Sequence, residues 1–223
     1  TSVSCYERAR KIYTETYGER HPHVAIAYHG LGNIYNTMGE HEKAIAGYNK
    51  AVEIYLAIFG ENHVNTAASL HGLGNSCVSL GQYDRALGYY ERVLAIHRTV
   101  LGDNHPETGH SYAGIGMVLA RTGDYDRALR NFEKARSVFA ANLGENHPNV
   151  SGVLLQEARL YYTRDDFARG RDLAEKALAQ YRGKSLHPQT ITASNVLGVM
   201  YLYAGEPRKA RPCFDESIGA IEK

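Results

Sequence analysis

Gly102-Asp103-Asn104-His105-Pro106 decides the fold, because nearly the same five residues return at a fixed interval along the chain. The copies are Gly18-Glu19-Arg20-His21-Pro22, Gly60-Glu61-Asn62-His63-Val64 and Gly144-Glu145-Asn146-His147-Pro148. Their histidines fall at 21, 63, 105 and 147, 42 residues apart each time, and a looser copy from Gly183 to Pro188 places His187 40 residues further on. A period of this size marks an internal repeat, in which each supersecondary unit buries its apolar face only against its neighbours.

On either side of each mark the apolar spacing is helical. Before the first one, Val3, Tyr6, Ala9, Ile12, Tyr13 and Tyr17 stand mostly three or four apart, which predicts an amphipathic helix. Gly18 is placed to end it in a left-handed cap, and Pro22 supplies the φ of a first helical turn. Each mark is therefore one helix stop and one helix start. Tyr28, Leu31, Gly32 and Tyr35 then form one helical face, Gly39-Glu40 interrupts it, and Ala44, Tyr48, Ala51, Ile54 and Ile58 carry a second helix to Gly60. Gly32 and Ala44 are small where two helix axes approach. The same hairpin returns with Leu70, Leu73, Gly74, Cys77, Gly81, Ala86, Tyr90 and Val93, and again with Tyr112, Ile115, Gly116, Leu119, Gly123, Ala128, Phe132 and Ala135.

The fourth repeat departs from this pattern. Glu157 stands where the others have Leu or Ile, Asp165 replaces the glycine between the helices, and Ala174 takes the place of Tyr48, Tyr90 and Phe132. We expect a gap at Ala174 unless Tyr161, Tyr162 or Phe167 shifts into it, and a local weak joint. The fifth repeat recovers Leu197, Gly198, Tyr201, Gly205, Ala210 and Phe214, while Pro212 is expected to kink its second helix or delay its start.

Composition narrows the function classes. Lys plus Arg number 25 against 24 Asp plus Glu, so no basic excess draws the chain to nucleic acid. Cys5, Cys77 and Cys213 are too scattered for a disulfide framework and form no CxxC pair, which suits a reducing, cytoplasmic setting. No run approaches the length of a membrane span.

Fragments that mimic catalytic motifs fail their structural tests. Gly183-Lys184-Ser185 ends like a phosphate loop, but Leu178 stands where its first glycine belongs. His41-Glu42 has Ile45 where a zinc-protease helix needs its second histidine. Gly109-His110-Ser111-Tyr112-Ala113 lies inside a predicted helix and lacks the turn of a nucleophile elbow. The histidines of the repeated turn sit on successive hairpins, so each is expected to cap or brace its own turn and not to share a metal. We expect no catalytic residue, cofactor or metal.

The pattern aromatic-x2-Leu-Gly-x2-Tyr followed by Ala-x3-aromatic-x2-Ala resembles the tetratricopeptide repeat over essentially the whole chain. The longer period with its Gly-x-x-His-Pro turn is similar to the variant of kinesin light chains. That resemblance implies an all-α fold, an α-solenoid in which antiparallel helical hairpins wind into a right-handed superhelix. We expect one solenoid over residues 1–223, with a half-repeat at 1–19 and repeats at about 20–61, 62–103, 104–145, 146–184 and 185–223.

The resemblance also implies that a stripe beside the core stripe of each first helix lines a concave groove that receives a partner. Its rows are His29, Asn33, Asn36 and Thr37; His71, Asn75 and Ser79; Ala113, Met117 and Arg121; Leu155, Arg159 and Tyr162 with Gln156 beside them; and Asn195, Val199, Leu202 and Tyr203. The first two rows share His-Gly-Leu-Gly-Asn, and Asn33 and Asn75 are expected to bond an extended backbone. The two-carboxylate clamp of chaperone adaptors is missing, and of the Asn-Asn pairs common in kinesin light chains only Asn195 has a counterpart. The expected function is a non-catalytic scaffold holding a partner peptide or helix in the groove. The alternatives are a motor-cargo adaptor of the kinesin light chain type and the ligand-sensing segment of a larger signalling protein or NTPase regulator. A protein or peptide partner is expected, with no nucleic acid and no membrane span, and the chain is expected to be part of a longer one.

Overall fold

A computed structural model of the protein describes residues 2–180 and 188–221. The expected turn at Gly183 to His187 thus lies outside the described residues. Among those described there are eleven helices and no strand: α1 Ser2–Tyr17, α2 Pro22–Thr37, α3 His41–Phe59, α4 Val64–Ser79, α5 Tyr83–Val100, α6 Pro106–Thr122, α7 Tyr125–Leu143, α8 Pro148–Thr163, α9 Phe167–Ala179, α10 Pro188–Tyr203 and α11 Pro207–Ile221. None of the described helices is long and apolar enough to cross a membrane.

The ends of these helices follow from single residues. His21, His63 and His147 hold extended backbone angles at N-caps, and each accepts on Nδ1 from the backbone N–H two residues on, at 3.2–3.3 Å. His105 does the same for Glu107 at 3.2 Å. An imidazole thus takes over the capping role more often given to Ser or Asp. Phe59 stacks on His63 at 4.1 Å between ring centroids, and Tyr17 on His21 at 4.4 Å, so the last aromatic of one helix braces the cap of the next. At the other end of α2, Gly39 has φ 79°, and the Glu40 N–H donates to the Tyr35 carbonyl at 2.9 Å, closing a Schellman motif. Asp165 closes the equivalent motif after α8 with φ 60°, the one non-glycine residue in that conformation among those described.

The chain forms two compact units, Thr1–Thr122 and Gly123–Lys223. In the first, α2 pairs with α3 and α4 with α5, α3 lies against α4, and α1 and α6 pack on α2 and α5. In the second, α8 pairs with α9 and α10 with α11, while α7 packs on α8 and α9 on α10. The core of the first unit gathers Ala44, Tyr48, Leu70, Leu73 and Val93, whose spacing predicted inward faces, together with Val52, Ala67 and Ile96.

Glycines in the stripes make room for rings. A Cβ on Gly32 would lie 2.7 Å from the Tyr48 ring and one on Gly72 only 2.5 Å, so this tyrosine fills the space between its own hairpin and the next. Tyr90 stands in the same way between Gly74 and Gly114, with corresponding distances of 2.9 and 3.1 Å.

Two expectations for the second unit are corrected. Tyr162 and Phe167 pack with Tyr203, and Tyr161 lies against the Arg169 guanidinium, while Met200, 1% exposed, reaches from α10 onto Gly170, which stands where other repeats have alanine. Ala174 is itself fully buried. Glu157, 3% exposed, accepts from Arg136 Nε at 3.2 Å, so its charge is paired and not stranded in the core. Burial still pushes the Glu157 carboxyl above its ordinary value, with Arg136 opposing. Pro212 does not delay α11, which starts at Pro207 and runs past it.

Candidate functional site

A cavity of about 680 Å³ opens in the first unit. His29, Asn33, Asn36 and Thr37 of α2 form one wall, His71 and Asn75 of α4 another, and Tyr48 of α3 reaches between them. Asn65 and Ala68 from the start of α4, His97 from the end of α5, and Glu107, His110 and Ser111 from the start of α6 complete the lining. Its volume lies within the range of about 300–1,000 Å³ seen for ligand pockets.

The hydrogen bonds around this cavity set its chemistry. Tyr90 donates to Asn75 Oδ1 at 2.6 Å, and Tyr48 donates to Asn33 Oδ1 at 2.7 Å. The Asn75 amide nitrogen in turn donates to His71 Nδ1 at 3.2 Å, which places the His71 proton on Nε2. His97 has the opposite tautomer: its Nδ1 meets the Glu107 carbonyl at 3.1 Å, and since a carbonyl only accepts, the proton sits on Nδ1. Ser111 Oγ lies 2.9 Å from the same nitrogen and donates to the Glu107 carbonyl at 3.1 Å. His29 Nδ1 is 3.0 Å from Ser69 Oγ. His29 and His71 also stand edge-on to Tyr48 and Tyr90, with centroids 5.5 and 5.4 Å apart.

Burial holds the imidazoles of His29, His71 and His97 below the ordinary histidine value of 6.5. At His71 the neighbouring His110 and His97 add to the effect, and Glu107 opposes it. The Tyr48 hydroxyl is pushed up to about 12 by burial, and that of Tyr90 is also raised, so both remain donors.

The expected groove residues divide between the two units. His29, Asn33, Asn36, Thr37, His71 and Asn75 are brought together in the cavity. The oxygens of Asn33 and Asn75 are nevertheless already committed to tyrosine hydroxyls, so these two side chains are braces where free backbone-binding amides were expected. Ser79 donates to the Asn75 carbonyl of its own helix. Met117 and Arg121 are exposed on α6 outside the cavity lining, and Gln156 on α8 is half-buried and also outside it. Arg159, Tyr162 and Asn195 line a separate pocket of about 260 Å³ in the second unit, floored by Val196, Val199 and Met200. Tyr203 packs against Tyr162 and Phe167 at centroid distances of 4.8 and 5.7 Å.

Sequence reasoning missed His97, Glu107, His110 and Ser111, which lie off the stripe of first-helix residues. One signal was present. Position 97 is aromatic in the flanking repeats, Tyr55 and Phe139, so a histidine there departs from the pattern. Among the described residues, no group of three or more His, Cys, Asp or Glu is arranged to hold a metal ion.

The tetratricopeptide repeat profile matches residues 1–57, 25–99, 77–141, 111–183 and 151–223, which together span the whole chain. The chain belongs to the tetratricopeptide repeat family. No curated protein matches the sequence significantly. Solved structures of similar fold include BtubC (BKLC) from P. vanneervenii, with TM-score 0.84 and 20% identity over 99% of this chain and 90% of that one. A Podosopora anserina putative kinesin light chain with nearly identical tetratricopeptide-like repeats superposes with TM-score 0.75 and 22% identity over 90% and 96%. YrrB, described as a tetratricopeptide protein with an unusual peptide-binding site, gives TM-score 0.57 and 22% identity over 95% and 92%. At these identities the likeness is one of fold. The tetratricopeptide solenoid is a scaffold for protein interaction, and this chain has that fold.

Proposed function

We propose that the chain is a non-catalytic interaction module that holds an extended segment of a partner protein, anchored in the first-unit cavity. The observation that carries this reading is the pair of opposite tautomers on one lining. His71 keeps its proton on Nε2 and His97 keeps a lone pair there, so the two offer one donor and one acceptor. A peptide group presents the complementary carbonyl and N–H. Tyr48 and the apolar edges of Val64, Ala68 and Leu101 add contact surface for a side chain.

Panning a displayed random peptide library against the chain tests this. Ala68 is exposed on the cavity wall, so Ala68→Trp fills the opening while leaving the core untouched. Peptides retained by the natural chain should be lost on Ala68→Trp with its helical circular dichroism unchanged. Retention that ignores this substitution would move the site elsewhere.

A further inference from the structure

We propose that the first-unit cavity takes a lysine or arginine side chain of the bound segment, with the Glu107 carboxylate as its counter-charge, and that protonation of the surrounding histidines expels it. This rests on the reading of the cavity as a peptide site. Among the described residues that line it, Glu107 carries the one formal charge at neutral pH. Its side chain is exposed and makes no ion pair among the described residues. The repeat has no need of an acid at this place. His23, Asn65 and Asn149 hold the same position after the other capping histidines, and their backbone N–H groups serve those caps just as that of Glu107 does.

A cation needs several acceptors, and the same wall supplies a second. His97 is protonated on Nδ1 by its bond to the Glu107 carbonyl, so its other ring nitrogen offers a lone pair on the same lining. Lys and Arg, by contrast, are absent from the described lining, so nothing there repels a basic side chain.

Proton uptake reverses this balance. The groups facing His71 are Glu107, His97 and His110, with the Tyr90 ring beneath it; those facing His97 are Glu107, His105 and His110; and His29 lies against Tyr48. The tyrosines stay neutral, and Glu107 is the one carboxylate among these groups. Each histidine protonated as pH falls therefore adds a positive charge around the site of the bound cation. Proton and cation compete, and partner affinity falls with pH.

The probe is a displayed random dodecapeptide library, panned at about pH 7.5 and counter-selected against Ala68→Trp. Cavity-dependent peptides should share one Lys or Arg, and replacing it by Gln in the synthetic peptide should weaken binding roughly tenfold. Glu107→Gln should cost the natural peptide the same factor and cost the Gln peptide nothing. Kd should rise as pH falls below about 6.5, and His71→Gln with His97→Gln should reduce that rise. Cavity-dependent peptides without a basic residue, or affinity indifferent to Glu107→Gln, would overturn the inference and leave the peptide site standing. The absence of any cavity-dependent peptide would remove both.

Discussion

The hydroxyl of Tyr90 donates to Asn75 Oδ1 at 2.6 Å while its ring fills the space between Gly74 and Gly114. One side chain therefore joins two hairpins through its ring and fixes the cavity wall through its oxygen. Tyr48 repeats the arrangement with Asn33, Gly32 and Gly72.

Truncating the asparagine should be felt in stability. Asn75→Ala leaves the buried Tyr90 hydroxyl without its acceptor and should cost about 1–3 kcal/mol in denaturant unfolding. Adding Tyr90→Phe should cost less than the two single changes together, since the second substitution removes the orphaned donor. Strictly additive losses would mean that the bond carries no weight.

The glycines separate into two kinds. Gly72→Ala drives a Cβ to 2.5 Å from the Tyr48 ring and should destabilise by about 1–3 kcal/mol. Gly88, in α5, has nothing within 4 Å of its Cβ position, and Gly88→Ala should stabilise by about 0.5–1 kcal/mol. Melting temperatures moving in the same direction for both would contradict the packing described.

Much of this was legible in the chain. The repeat, the helix stops at the glycines and the inward faces are set by spacing and by local backbone chemistry, which a sequence displays directly. The capping histidines were readable because each acts two residues from itself. The use of Asn33 and Asn75 was not, because their partners stand 15 residues away on the antiparallel helix and meet them only after the ring has settled between glycines. Met200 lies further still, on the next hairpin from the residue it covers. Six of the expected groove residues line the first cavity, yet His97, Glu107 and His110 come from the end of α5 and the start of α6, where helical periodicity gives no cue.

Acid should loosen the first unit. His29, His71 and His97 have folded-state values below 6.5, so above that pH both folded and unfolded chains hold them neutral. As pH falls below 6.5 the unfolded chain takes up protons first, and stability drains until the folded values are passed. The melting temperature should fall over that window, and less steeply in His97→Gln. A melting temperature that holds or rises on the same descent would contradict the neutral cluster.

In the second unit, Arg136→Ala leaves Glu157 buried without its cation and should cost about 1–3 kcal/mol. Glu157→Leu, which restores the residue type of the other repeats, should be neutral or stabilising. Asp165→Gly should gain about 0.5–1 kcal/mol by relieving a φ of 60°. Chemical denaturation of the three variants checks all of these, and a stabilising Arg136→Ala would contradict the ion pair.

The peptide site itself is tested most directly by imidazole NMR signals during titration with a peptide chosen by the Ala68→Trp counter-selection. His29, His71 and His97 line the cavity, whereas the capping His21, His63 and His147 do not. The account predicts saturable shifts of the first three, with the capping signals unmoved. Shifts confined to the capping histidines, or saturation with all three cavity signals unchanged, would contradict it.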